Sequence, residues 1–307
     1  MTIDVAVFGA GRIGKIHAAN LARHPGVRLK YVVDVNREAA AALAAQHGAQ
    51  VADIDGAMGD ASIGATVVCS STDTHADLIL QSAAQKKHVF CEKPVDLTLE
   101  RARACADAVT KAGVVCMIGF QRRFDPTFSA LKARVAAGEI GEPEMLVVTS
   151  RDPGAPPVDY IRHSGGIFKD MLIHDFDIFR WMLDDEADTL HATGSCLSDP
   201  AIAEAGDIDS TAVTIRTKRG ACARSTRRGA RRMATTSASS CSAARACSRR
   251  ATCGPPKSRP TRRQPCRATC PRRSFSNAIA RRMRSRSRIS STPSPKASRC
   301  ARRSRTA

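Results

Sequence analysis

Not one aspartate, glutamate or histidine occurs between Ala221 and Ala307. Those 87 residues hold 25 of the 48 lysines and arginines and seven of the twelve cysteines. About half of the charged quarter of an ordinary soluble protein is acidic, so such a stretch arises by chance in roughly one case in 10⁵. The formal charge of +19 therefore does not describe the chain as a whole. Residues 1–220 carry 23 basic and 29 acidic side chains, a net charge of −6, which speaks against a nucleic-acid-binding fold there. Arg, Ser, Ala, Pro and Cys are what GC-rich DNA yields in the wrong reading frame. Residues 221–307 accordingly read as a frameshifted translation. The alternative is a disordered basic tail that meets RNA or DNA through phosphate charge alone.

Other absences narrow the class further. No uncharged run reaches 18 residues, and the first 40 residues lack a charged-then-apolar leader pattern, so a cytoplasmic protein without a membrane span is expected. Cys69, Cys91, Cys105, Cys116 and Cys196 show neither metal-ligand nor disulfide spacing and read as reduced core thiols. The histidines and carboxylates show no ligand spacing either, and no metal is expected.

What is present begins with a short apolar strand, IDVAVF at 3–8, that runs into GAGRIG at 9–14 and then into a helical pattern closed by Pro25 and Gly26. A glycine triplet alone is weak, but between a strand and a helix it has a physical use. Gly9 makes the tight turn, Gly11 lets the backbone reach a pyrophosphate, and Gly14 lets helix and strand pack closely, with Arg12 and Ile13 at the helix start. The next strand ends at Asp34, twenty residues beyond Gly14, where an acid meets ribose hydroxyls and repels a 2′-phosphate. NAD is therefore expected over NADP, with Arg37 as the counter-argument.

Strands and helices then alternate to residue 121: helix 37–48, a strand near 50–52, strand 65–70, a turn STDTH with a following helix, strand HVFCEKP, helix 98–112 and strand 114–118. That alternation implies a parallel sheet with right-handed crossovers. Ligands of such sheets lie beyond the carboxyl ends of the strands, which lines up Ser71, Thr72, His75, Glu92, Lys93, Gln121 and Arg122 along one crevice. Lys93 is either a solvated strand-end charge or a cation able to stabilise an alkoxide.

From residue 122 the pattern changes to helix 126–138, strand 144–150, a Pro-rich loop RDPGAPPVDYI, one helix over 165–183 and strands 188–197 and 209–217. Within GGIFKDMLIHDFDIFRWML, apolar residues recur at helical intervals while Asp170 and His174 stand one turn apart at i and i+4. Asp175 and Asp177, which flank the pair, read as structural. Three segments are thus expected: a dinucleotide-binding domain at 1–121, a partial α+β domain at 122–220 with an open, mostly antiparallel sheet, and the tail at 221–307.

GAGRIG, Asp34, STDTH, CEKP, GFQRRFDP, SRDP and SGGIFKDMLIHDFDIFRWML, in this order and spacing, resemble the Gfo/Idh/MocA oxidoreductases, over residues 1 to about 220. The likeness is strongest to members that oxidise myo-inositol to 2-keto-myo-inositol. It implies a Rossmann domain with NAD and a catalytic group of Lys93, Asp170 and His174. From their place in the crevice, Gln121 is expected to meet the polyol, and Glu92 and Arg122 the cofactor; Tyr160, Asp152 and Arg122 either line the polyol or nicotinamide pocket or are loop surface groups, and the resemblance implies a homotetramer. His174 would take the hydroxyl proton, Asp170 would orient the imidazole or hold a neighbouring hydroxyl, and Lys93 would stabilise the alkoxide. Where members continue with further strands and a closing helix, this chain has Arg- and Ser-rich text. A raw sheet edge, a doubtful tetramer interface, and a poorly soluble or inactive chain whose first domain still binds NAD are the expected consequences.

Overall fold

The computed structural model describes residues 2–151 and 154–228. The tail beyond 228, and with it the frameshift and nucleic-acid readings, lies outside the described residues.

The first domain is built from β1 (Ile3–Phe8), α1 (Arg12–Ala22), β2 (Val27–Val33), α2 (Arg37–His47), β3 (Gln50–Val51), α3 (Ile54–Gly59), β4 (Ile63–Val68), α4 (Thr72–Ala84), β5 (His88–Cys91), α5 (Leu99–Ala112) and β6 (Cys116–Ile118). Its six strands lie in the order β3-β2-β1-β4-β5-β6, and every ladder is parallel. Continuous apolar strands follow from burial on both faces: Val5, Val7, Val67 and Phe90 pack under α1 and α2, and Phe8, Val68, Val89 and Cys91 under α4 and α5. Local chemistry sets the helix limits. Asn36 Oδ1 accepts the Ala39 N–H at 3.0 Å to start α2, and Gly48 and Gly113 close α2 and α5 with left-handed backbone. Because the strand order reverses between β1 and β4, a crevice opens over their carboxyl ends.

A 3-10 turn at Gln121–Phe124 leads into the second domain: α6 (Pro126–Ala136), β7 (Met145–Arg151), α7 (Val158–Ser164), a π-helix at Ile167–Leu172, α8 (Ile173–Leu183), β8 (Ala187–Ser195), α9 (Pro200–Glu204), β9 (Ser210–Thr217) and β10 (Cys222–Arg228). Its sheet has the order β7-β10-β9-β8, with β7 and β10 parallel and the other two ladders antiparallel. One face packs on α8 through Leu146, Val213, Ile215 and Ala223 against Leu172, Ile178, Phe179 and Met182. The other face is open, and β8 is exposed along its whole length.

Two expectations are corrected here. Residues from 221 onward were assigned to the tail, yet Cys222–Arg228 forms the inner strand between β7 and β9. CARSTRR alternates, so Ala223, Ser225 and Arg227 turn inward, which composition alone concealed. Nor is 165–183 a single α-helix: Gly165 and Gly166, both at positive φ, break it from α7, and its first stretch is wound as a π-helix.

Candidate active site

The crevice begins at the glycine turn. Gly9 has φ +107°, and a Cβ there would stand 2.5 Å from the Cys69 carbonyl oxygen; a Cβ on Gly14 would run into the Gly9 carbonyl. A Cβ on Gly11, by contrast, meets nothing within 4 Å. Gly9 and Gly14 are thus demanded by the fold, and Gly11 faces open space at the N-terminus of α1. Gly11 caps that helix without a side-chain bond and no acid stands in its first turn, so the helix N–H groups and dipole face the crevice. Asp34 lies just past β2, where Oδ2 accepts the Ala10 N–H at 2.5 Å and Oδ1 the Asn36 N–H at 2.8 Å. Turn, helix end and acid fit a dinucleotide carrying a pyrophosphate and a ribose diol.

At the far end of the crevice the two domains meet. Lys93, joined to Pro94 by a cis peptide bond just beyond β5, donates from Nζ to Asp170 Oδ1 at 2.5 Å and to the Asp170 carbonyl at 2.7 Å. Both side chains are largely buried. Tyr160, on α7, donates its hydroxyl to the same Oδ1 at 3.0 Å, and burial with the Asp170 charge pushes its phenol well above the usual range. His174 stands on the first turn of α8, with the ring of Phe120 edge-on at 6.4 Å between centroids. Burial first, then the Lys93, Arg122 and Arg227 cations, pull its imidazole down to about 3. It is neutral at ordinary pH, and its Nδ1 is buried without a hydrogen-bond partner among the described residues. A buried ring nitrogen without a partner is costly unless a ligand completes it.

The structure therefore brings Lys93, Asp170, Tyr160 and His174 together, although through a π-to-α junction and not a regular i, i+4 pair. Widened turns of this kind recur at functional sites. Other expected residues have protein partners of their own. His75 is buried, because α4 starts at Thr72 and turns that residue inward; its Nδ1 lies 2.7 Å from the Pro94 carbonyl and its Nε2 3.2 Å from the Ser70 carbonyl, behind the Lys93 loop. Glu92 is engaged by His17 Nε2 at 2.8 Å and underpins α1. The Arg122 guanidinium is turned away onto Asp175 at 2.5 Å. Ser71 caps α4, Thr72 begins it, and Gln121 is exposed at the crevice mouth. Asp152 lies outside the described residues.

Sequence reasoning missed Phe120 and the network around Asp175. The spacing RR at 122–123 against D-x-D at 175–177 held the second signal, since Arg123 also takes Asp177, at 2.6 to 3.1 Å.

Comparison with known proteins agrees with this geometry. The family described as "Oxidoreductase family, NAD-binding Rossmann fold" matches residues 3–120, and the "GFO/IDH/MocA C-terminal domain" matches residues 128–231. An inositol 2-dehydrogenase of Rhizobium meliloti (strain 1021) is 49% identical over 220 residues, which cover 72% of this chain and 67% of that protein. A myo-inositol 2-dehydrogenase of Thermotoga maritima is 44% identical over 219 residues, covering 71% and 66%. The chain thus spans about two thirds of the length of these relatives. Among solved structures, a myo-inositol dehydrogenase from Corynebacterium glutamicum has a TM-score of 0.71 at 41% identity, covering 75% of this chain and 69% of that one. A scyllo-inositol dehydrogenase from Lactobacillus casei with bound NAD(H) and scyllo-inositol has a TM-score of 0.70 at 28% identity, covering 75% and 70%. With both domains matched, the first as an NAD-binding Rossmann domain, the chain belongs to the Gfo/Idh/MocA family of oxidoreductases.

Proposed function

We propose that the chain is an inositol 2-dehydrogenase, which oxidises myo-inositol to 2-keto-myo-inositol with NAD in the breakdown of inositol in the cytoplasm. The observation that carries this reading is the cross-domain contact of Lys93 with Asp170, beside a neutral His174 whose buried Nδ1 lacks a partner. NAD supplies the hydride acceptor when bound, held by the Gly9–Gly14 turn, the α1 N-terminus and Asp34. Oxidising a secondary alcohol then leaves one proton for the protein to take. His174 is uncharged and so can accept it. Lys93 faces the same space and offsets the charge that grows on the substrate oxygen. Asp170, braced by the Tyr160 hydroxyl, holds Lys93 in place and offers an acceptor to neighbouring hydroxyls.

Asp34 favours NAD over NADP, because its carboxylate is fixed by two backbone N–H groups and repels a 2′-phosphate. Among the described residues no helix is long and apolar enough to cross a membrane. The open face of the second sheet, where Met145 is 52% exposed, suits a homo-oligomeric contact. The expectation of an inactive chain rested on a second domain that ends at 220, and β10 removes part of that ground.

A second reading is oxidation of another cyclitol or sugar alcohol by the same residues, favoured by the likeness to a scyllo-inositol dehydrogenase. The test is a panel of cyclitols and sugars with NAD and NADP. Turnover fastest with myo-inositol and NAD supports the first reading, whereas a clear preference for another ring replaces it with the second.

A further inference from the structure

Asp175 stands next to His174 and carries a charge into the buried side of α8. Its carboxylate is fully buried. Oδ1 accepts from Arg122 Nη1 at 2.5 Å and from the Ser150 hydroxyl at 2.8 Å, and Oδ2 accepts from the Ser225 hydroxyl at 2.7 Å. The donors come from three elements: the turn after the last strand of the first domain, β7, and β10. Burying an ion pair costs desolvation that a well-packed apolar residue would avoid, so stability alone is a weak reason for it. Fixing an orientation is a stronger one. Three bonds converge on the first turn of α8, one residue from the proposed base and directly after the π-to-α junction that carries Asp170.

We propose that Asp175 is a positioning residue for the reaction. It locks the first turn of α8 to the sheet and to the domain connection, and so holds His174 in register with Lys93 and Asp170. Arg122, expected at the cofactor, donates to this lock. The inference rests on the dehydrogenase reading for its effect on turnover, but not for its effect on His174 itself.

The test is Asp175→Asn in the full chain, with Ser225→Ala as a milder variant that keeps the Arg122 ion pair. For Asp175→Asn, kcat is expected to fall about 30-fold or more, since small misplacements of a reacting group cost rates of that order. NADH affinity should stay within about twofold and KM within about threefold. Ser225→Ala should show a smaller change of the same kind. The side-chain NMR signal of His174 in histidine-labelled protein should broaden or split in Asp175→Asn while signals of distant histidines such as His24 hold. That last readout decides the matter even for a chain that turns over no cyclitol, a result that would sink the dehydrogenase reading separately. An unchanged His174 signal overturns the inference, as does loss of turnover that merely tracks loss of NADH binding and thermal stability.

Discussion

Lys93 of the first domain grips Asp170 of the second twice, its ammonium lying 2.5 Å from Oδ1 and 2.7 Å from the main-chain carbonyl. A contact between residues 77 apart in sequence thus fixes both the side chain and the backbone of the π-helix. Since the charge is held mostly away from water, it acts at higher strength than a surface pair would.

Replacing Lys93 by methionine keeps the stem and removes the charge. Turnover is expected to fall by about 10² to 10⁴, in the range of a lost electrostatic stabiliser. NADH titration by fluorescence should show affinity within a few-fold of the parent, because the glycine turn and Asp34 lie at the other end of the crevice. A variant that keeps a tenth or more of the parent rate would remove Lys93 from the reaction.

The glycines of the turn make opposite predictions. Gly14→Ala drives a Cβ against the Gly9 carbonyl, so α1 and the turn must separate; a loss of several kcal/mol, of the kind caused by overpacking, is expected in denaturant melts. Gly11→Ala meets open space, so stability should change by less than about 1 kcal/mol while NADH affinity drops at least tenfold. Equal stability losses in the two variants would contradict the assigned roles.

His174 gives a pH dependence of known sign. Its folded value, about 3, lies below the unfolded value of about 6.5, so at intermediate pH the unfolded chain binds a proton that the folded chain does not. Stability from this group is therefore complete above pH 6.5 and is lost as pH falls toward 3, with a slope of up to about 1.4 kcal/mol per pH unit. In His174→Asn the melting temperature should fall less steeply with acid between about pH 6.5 and pH 4. An identical slope in both proteins would show that His174 is not held neutral by the fold. Lys93→Met removes one of the depressing cations and should move the His174 titration upward.

Much of the molecule is visible in its sequence because its signals are local. Strand, GAGRIG, helix and Asp34 follow one another within 34 residues, and each feature has a backbone cause that the structure repeats. Lys93, Asp170 and His174 come together as a group through the family resemblance; the residues alone give only the Asp170 and His174 pair and leave Lys93 open between a solvated charge and a catalyst. What stayed hidden depends on packing between distant segments. His75 looked like a crevice residue until the start of α4 at Thr72 turned it inward. The loop RDPGAPPVDYI hid α7, whose Tyr160 meets Asp170 only because Gly165 and Gly166 reverse the chain. The strand Cys222–Arg228 carries few apolar residues, and its place between β7 and β9 comes from two neighbours' hydrogen-bonding edges and not from its own hydrophobicity.

The most direct test of the central claim follows the hydride itself. The full chain is incubated with NAD and myo-inositol deuterated at its oxidised carbon, and the reduced cofactor is analysed by mass spectrometry and NMR. The account predicts one deuterium in NADH, on one face of the ring, and none when His174 is replaced by glutamine. Protein that binds NADH yet leaves the cofactor unlabelled, with myo-inositol and with other cyclitols, would contradict it.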